Sequence, residues 1–517
     1  MKLNYKRVIL VGFAFFAITA FWQAYDATIP VILTNKFGMS QTWSGAIMAL
    51  DNILALFLLP LFGSISDKHK GKLGKRTPFI LIGTLLASVL LVGLSFVDNA
   101  QLKNISEVSK IDDPAALEIV YDSQKDMKLK TPEGDFYILS ERYEKDEFIS
   151  IKSTIEKKGK EETNEEYTNY VAPARQAYIA SKTAENSTEL ILFVVMLFAL
   201  LLSMSIFRSP AVALMPDVTV KPLRSKANAI INLMGTAGGI IVLVLGMIFA
   251  TSAVKNSLMS YTAYYSVIAG IMLVSLVIFL LTVREKKWAK EMEEDSVKYG
   301  VEEAAETEDQ PEKKLDRAQM RSLIFILLSV ALWYFGYNAV TSKYAVYATN
   351  ILNKDYNTTM LIAQGAAIVA YIPAGIIASK IGRKKTIIGG VVMLTAAFGF
   401  ASFMRASSPT LVMNVLFALA GIGWATINVN SFPMAVEMCS GSNTGKYTGY
   451  YYTASMAAQI ATPILSGFFM DKIADTVLFP YAAIFAGLAI ITMLFVKHGD
   501  SKAIVKKSVL ENLDMDN

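Results

Sequence analysis

The chain has 517 residues, 53% hydrophobic and only 18% charged, which excludes an ordinary soluble domain and indicates a polytopic membrane protein. Its formal charge of +5 is no nucleic-acid signal, because the cations lie in short connections between apolar runs, where membrane topology accounts for them. One cysteine, Cys439, excludes an intramolecular disulfide and a multi-cysteine metal site, and the two histidines, His69 and His498, fall in polar connections outside every predicted span.

Windows of about 20 apolar residues place twelve spans. They are 8–33, 42–65, 78–97, 190–214, 227–252, 262–283, 321–349, 358–379, 386–404, 409–435, 446–470 and 480–497. The first follows Lys2, Lys6 and Arg7 as a signal peptide would, but it is too long and ends in no small-residue cleavage site, so it reads as a retained helix. Cations gather in alternate connections: Lys68 to Arg76, Lys221 to Lys226, Arg284 to Lys314 and Lys380 to Lys385. The connections Asn35 to Gln41 and Ala406 to Pro409 are nearly uncharged, so both termini are expected in the cytoplasm of a plasma-membrane protein.

This gives an N-terminal six-helix half over 1–283, a cytoplasmic linker over 284–320, a C-terminal six-helix half over 321–497 and a cytoplasmic tail over 498–517. The polar insertion 98–189 falls between the third and fourth spans, outside the cell by this topology. Its "DFYILS" and "EFISIKS" partly alternate apolar and polar residues, so a small β-containing or mixed cap and a largely flexible segment both remain open, with partial order expected. The linker reads as a charged, solvated segment with a short surface helix. The halves repeat: Pro60, Gly63, Ser66 and Gly74-Lys75-Arg76 correspond to Pro373, Gly375, Ser379 and Gly382-Arg383-Lys384. The expected fold is therefore all-α, with about twelve transmembrane helices in two pseudo-symmetric halves and a substrate site between them.

The stretch from Gly63 to Phe79, with Asp67 and the ending Gly74-Lys75-Arg76-Thr77-Pro78, resembles the signature loop between the second and third helices of major facilitator transporters. Its "GKLGKRTPFILIG" is similar to the variant in sucrose–proton symporters and the broader glycoside–pentoside–hexuronide:cation symporters. A second similarity covers Ser209-Pro210 through Pro216-Asp217, Arg224 and Ala227-Asn228-Ala229. The resemblance implies cytoplasmic gate elements at Gly63, Asp67, Gly74, Lys75, Arg76, Arg208, Asp217 and Arg224, with a gate partner near Asn443 to Gly445. It does not reach 98–189. The pattern also breaks: the second helix has only Asp51 where melibiose-type relatives carry a close pair of acids for sodium, and Arg208 replaces their acid before the fourth-helix proline. A proton is thus the expected coupling ion.

Acids inside a bilayer are costly, which makes Asp26 and Asp51 the most informative single residues. At 1.5 Å per residue they lie roughly 10 and 14 Å below the outer helix ends, and Lys343 on the seventh helix comes out roughly 10 Å from the same face. These three are the proton-coupling candidates: an Asp–Lys pair across the halves would neutralise both charges, and the alternative is that Lys343 snorkels outward while Asp51 pairs locally. Polar and aromatic residues at helical spacing supply the substrate candidates: Trp22, Asn228, Asn232, Trp333, Tyr337, Asn338, Gln364, Trp424 and Asn428. Ring faces suit the C–H faces of a sugar, and amides suit its hydroxyls. The resulting expectation is a monomeric sugar:proton symporter for a di- or oligosaccharide or glycoside, partnered by its substrate and the lipid bilayer, with no cofactor, metal or nucleic acid. A carrier for a lysolipid, peptide or drug and a non-transporting sensor are the competing readings. No nucleophile–base or metal constellation suggests an enzyme.

Overall fold

The computed structural model describes residues 3–157, 159–299, 316–436 and 444–498. Cys439, most of the tail and linker residues 300–315 lie outside this set. Among the described residues, eleven helices are long and apolar enough to cross a membrane: Tyr5–Lys36, Gln41–Lys68, Thr77–Asn104, Thr188–Asp217, Lys226–Ile248, Thr262–Thr282, Arg317–Leu352, Tyr356–Ile381, Arg383–Ala401, Thr410–Ala435 and Asp475–Leu494. A further long helix, Thr444–Lys472, stands eleventh in chain order and packs against the second and seventh. It is more polar than its neighbours because it begins in Thr444-Gly-Lys-Tyr-Thr and ends in Asp471-Lys472. The helices are referred to below by these ordinal positions, first to twelfth.

Packing repeats across the halves. The first helix packs on the fifth and sixth, the third on the fourth and sixth, and the second on the fourth. Shifting each number by six gives the second half: seventh on eleventh and twelfth, ninth on tenth and twelfth, eighth on tenth. The halves meet along the same pseudo-twofold, second against eleventh, fifth against eighth and first against seventh. Even a backbone irregularity is duplicated, since the first helix ends in a π-helical turn, Ile32–Lys36, and the seventh in another, Ala348–Leu352. Each half has its own apolar core, one around Phe21, Leu200 and Tyr264, the other around Trp333, Tyr344 and Phe479.

The insertion is a small mixed domain capping one end of the bundle. The third helix runs on to Asn104, seven residues past its expected end. Helices Pro114–Gln124 and Ala172–Glu185 pack over a core that includes Val120, Leu139, Phe148 and Val171. Two antiparallel hairpins pair Leu129 with Tyr137 and Ile155 with Glu162. "DFYILS" supplies a strand, Phe136–Ile138, whereas "EFISIKS" is helical over Lys145–Ser150, where Phe148 reaches the core. Beneath the cap, Lys36 and Asp98 form an ion pair at 2.6 Å, both fully buried, and Lys36 also donates to the Met259 carbonyl at 2.6 Å. At the opposite end, residues 285–298 of the linker form a helix lying on the first half, held by Arg7, whose Nη2 donates to Glu291 at 2.5 Å and whose guanidinium covers the Trp288 ring.

Candidate functional site

Two cavities of about 260 Å³ each lie side by side in the middle of the bundle. The first is aromatic. Tyr337 and Trp424 stack with ring centres 3.7 Å apart and planes within 4°, and Tyr334 meets Trp424 edge-on at 5.2 Å. Thr19 and Thr236 face them from the first half, and Tyr371 and Gln364 complete the wall. An amide chain crosses the halves here: Gln364 Nε2 donates to Gln23 Oε1 at 2.6 Å, and Gln23 Nε2 donates to the Tyr356 hydroxyl at 3.3 Å. Such a cavity offers ring faces and paired amide groups together.

The second cavity is charged. Trp22 and Asp26 from the first helix, Asp51 from the second, Arg208 from the fourth and Asn338 from the seventh line it, with Gln459 across from them. Asp51 sits just past an interruption of the second helix at Ala49, and its Oδ1 accepts from the Asn52 backbone at 2.6 Å and side chain at 2.8 Å. The Asp26 carboxylate is half-buried, with no hydrogen bond to a protein donor. The Arg208 guanidinium lies 5.9 Å from the Trp22 ring centre and acts electrostatically on Asp51. Two carboxyls sharing one cation leave one negative charge unbalanced, which a proton or a substrate cation can neutralise.

These positions correct several expectations. Arg208 belongs to the charged cavity rather than the gate. Lys343 does not pair with Asp51: it is fully buried, donates to the Gln41 carbonyl at 2.5 Å, and faces Asp471 and Asp475. One residue turns a helix by about 100°, so Thr341 and Ser342 take the cavity side and Lys343 does not. Trp333 is buried in the core of the second half, away from either cavity. Asn228 and Asn232 also line neither cavity, although Thr236, which accompanies them, does. Asn428 hydrogen-bonds the Tyr371 side chain behind the aromatic wall.

The loop from Gly63 to Phe79 forms a compact polar cluster. Arg76 donates through Nε to Asp217 at 2.8 Å, through Nη1 to Ser66 Oγ at 2.5 Å, and through Nη2 to Asp67. Burial opposes its charge, but the hydrogen bonds and charges of Asp217 and Asp67 outweigh this and raise its pKa. Glu285, unpredicted because it opens a charge run that reads as solvated surface, is buried and caps the third helix. It accepts from the backbone of Lys75, Arg76 and Thr77 at 2.5, 2.9 and 2.8 Å and from Thr77 Oγ1 at 2.7 Å. Gly74 adopts φ +121°, and a side chain there would collide with this carboxylate. Gly63 packs against Ser209, while Lys75 is exposed and Arg224 donates to the carbonyls of Thr219 and Pro216. The gate partner expected near Asn443 to Gly445 begins outside the described residues.

At the cap end the halves are joined. Asn35 and Asn350, from the paired π-turns, exchange hydrogen bonds at 2.6 and 3.1 Å. Asp471, missed in the sequence because it lies at a span end, accepts from Gln41 N and Thr42 N, both at 2.8 Å, and from Thr42 Oγ1 at 2.5 Å. Gly467 lies against the Gln41 backbone, a close approach that a side chain would block. The cap straddles this seam: Gln176 donates to Asn35, Asn353 donates to Thr168, and Lys130 donates to the Asp471 carbonyl at 2.9 Å.

The profile of the MFS/sugar transport protein family matches residues 10–102 and 178–446, leaving out most of the cap. An uncharacterized MFS-type transporter of Methanocaldococcus jannaschii is 30% identical over 126 residues, covering 24% of this chain and 30% of the relative. The MFS-type transporter ppzB of Metarhizium rileyi is 26% identical over 142 residues, covering 28% of each. The chain thus spans less than a third of the length of these curated relatives. Among solved structures, the inward-open xylose transporter XylE from E. coli superposes with TM-score 0.56 at 13% identity, covering 99% of both chains. A bacterial homologue of the iron transporter ferroportin in its inward-facing state gives TM-score 0.57 at 11% identity, covering 96% of this chain and 100% of that one. With the twelve long helices of its described residues arranged in a pseudo-twofold bundle and a match covering most of its length, the chain belongs to the MFS/sugar transport protein family.

Proposed function

We propose that the protein is a secondary active transporter that moves a sugar, specifically a glycoside or a di- or oligosaccharide, in symport with protons by alternating access. In this reading it is a monomer of the plasma membrane without a cofactor, with both termini and the Gly63–Phe79 loop in the cytoplasm and the cap outside. Its loop sequence supports kinship with the glycoside–pentoside–hexuronide:cation and sucrose–proton symporters.

The observation that carries the reading is the adjacency of the two cavities. A stacked Tyr337–Trp424 pair with Gln364 suits a polyhydroxylated ring, and Asp26, Asp51 and Arg208 next to it suit a proton whose residence depends on what the neighbouring cavity holds. Asn338 and Thr341 lie on the seventh helix that walls both, so a sugar drawn against Tyr337 moves the helix that also borders the acids. With the cap taken as outside, the hydrogen bonds that join the halves at the cap end support an inward-facing reading. Thermal unfolding of the purified protein across mono-, di- and oligosaccharides tests the substrate class. A sugar that raises Tm in the parent and fails to do so in Trp424→Ala supports the reading, whereas stabilisation only by lipids, peptides or drugs contradicts it.

A further inference from the structure

Arg175, on the cap helix Ala172–Glu185, is 4% exposed. Its Nη2 donates to the Ile111 carbonyl at 2.7 Å and its Cζ lies 5.9 Å from the Tyr167 ring centre, and Nε and Nη1 make no well-aligned hydrogen bond, with only the Tyr167 hydroxyl beside the guanidinium. Among the described residues no carboxylate stands within ion-pair distance of it. Asp112 is the acid of this neighbourhood, but its oxygens accept from Ser153 N at 2.7 Å and Ser153 Oγ at 2.8 Å. The Tyr167 phenol, pushed up by burial and pulled back by the adjacent guanidinium, is a neutral neighbour and does not balance the charge. A buried cation without a counter-charge is strongly unfavourable, so something else must compensate it.

A cavity of about 40 Å³ adjoins this residue, lined by Arg175 and Tyr167 from the cap, Asn35 and Ser257 from the first half, and Asn350 and Asn353 from the second. That volume admits a small ion or a few waters. The walls offer donors. Asn350 Nδ2 uses one N–H on Asn35 and Asn353 Nδ2 one on Thr168, which leaves each a second, and Ser257 adds a hydroxyl.

We propose that this cavity binds a small monovalent anion of halide size, with Arg175 as its counter-charge. Because Asn35 and Asn350 come from opposite halves, separating them takes the site apart. A bound halide therefore holds the cap end closed. The site is independent of the transported solute, so its test needs no substrate.

The full-length purified protein is unfolded thermally in sodium chloride and in sodium gluconate at constant ionic strength. Chloride should raise Tm by about 1–2 °C per tenfold increase above its Kd, and Arg175→Gln should abolish the dependence while leaving the gluconate curve cooperative. Equal Tm values in both salts would overturn the proposal and leave the cavity to water, and an undiminished chloride effect in Arg175→Gln would overturn the assignment to this cavity. If that variant does not fold, crystals of the parent soaked in bromide decide: an anomalous peak bounded by Arg175 and Asn350 supports the site, and none there refutes it.

Discussion

The two ends of the bundle hold themselves together in opposite ways. At the cap end, hydrogen bonds run from one half to the other: Asn35 to Asn350, Asp471 to Gln41 and Thr42, Lys343 to Gln41, and Asn357 to Thr251 and Ser252. At the loop end, the cluster of Arg76 with Ser66, Asp67 and Asp217, and of Glu285 with the third helix, closes within the first half and its linker. Burial follows the same division, since Ser66 is the sole buried residue along Leu50–Lys68, although that helix faces the middle of the protein near its start. Polar bonds between halves exchange readily with water, so they seal an end without making the seal permanent. The loop-end cluster instead ties the first half to its own linker.

The largest effect should come from denying the cap end its freedom. With Cys439 replaced by Ser, cysteines at 35 and 350 joined by a short cross-linker should remove nearly all transport, and reversing the link should restore it. Normal turnover in a fully cross-linked sample would show that the seam does not open there. A smaller effect is expected from Asp471→Asn, which weakens charge-assisted bonds worth about 1.5–3 kcal/mol and should shift the balance toward opening at the cap end by about 10–100-fold. Labelling of a cysteine placed at Asn350 by an impermeant reagent reads this shift, and unchanged labelling would break the comparison from that side. The smallest effect is expected from Asp67→Asn, where Arg76 retains Asp217 and Ser66. Transport should slow while substrate affinity at equilibrium stays within about threefold, a change of under 1 kcal/mol. Loss of binding in the folded variant would mean that the loop belongs to the site and not to the bracing.

The architecture was legible because bilayer crossing demands long apolar runs and because the loop and its counterpart at Gly382 repeat. The acids were legible too, since a carboxylate in an apolar run has few structural uses. What failed was rotation about the helix axis. Lys343, one residue past Ser342, turns to the Gln41 carbonyl, and Trp333, one turn below Tyr337, enters the core instead of the cavity. Arg208 was expected at the gate because it stands beside the similarity that begins at Ser209-Pro210, but it lines the charged cavity. Glu285 and Asp471 sit at element ends, where a charge that caps a buried helix looks no different in sequence from one in water.

The proposal stands or falls on whether the charged cavity couples solute to proton. Sugar-induced alkalinisation and sugar counterflow, measured side by side in vesicles holding the parent or Asp51→Asn, test it most directly, with Asp26→Asn as the companion. The account predicts that at least one neutral variant loses proton movement and uphill accumulation yet still exchanges sugar down a gradient, because exchange needs the aromatic cavity and not the proton cycle. If both variants accumulate sugar and move protons as the parent does, neither acid is the coupling site and the account is wrong at its centre.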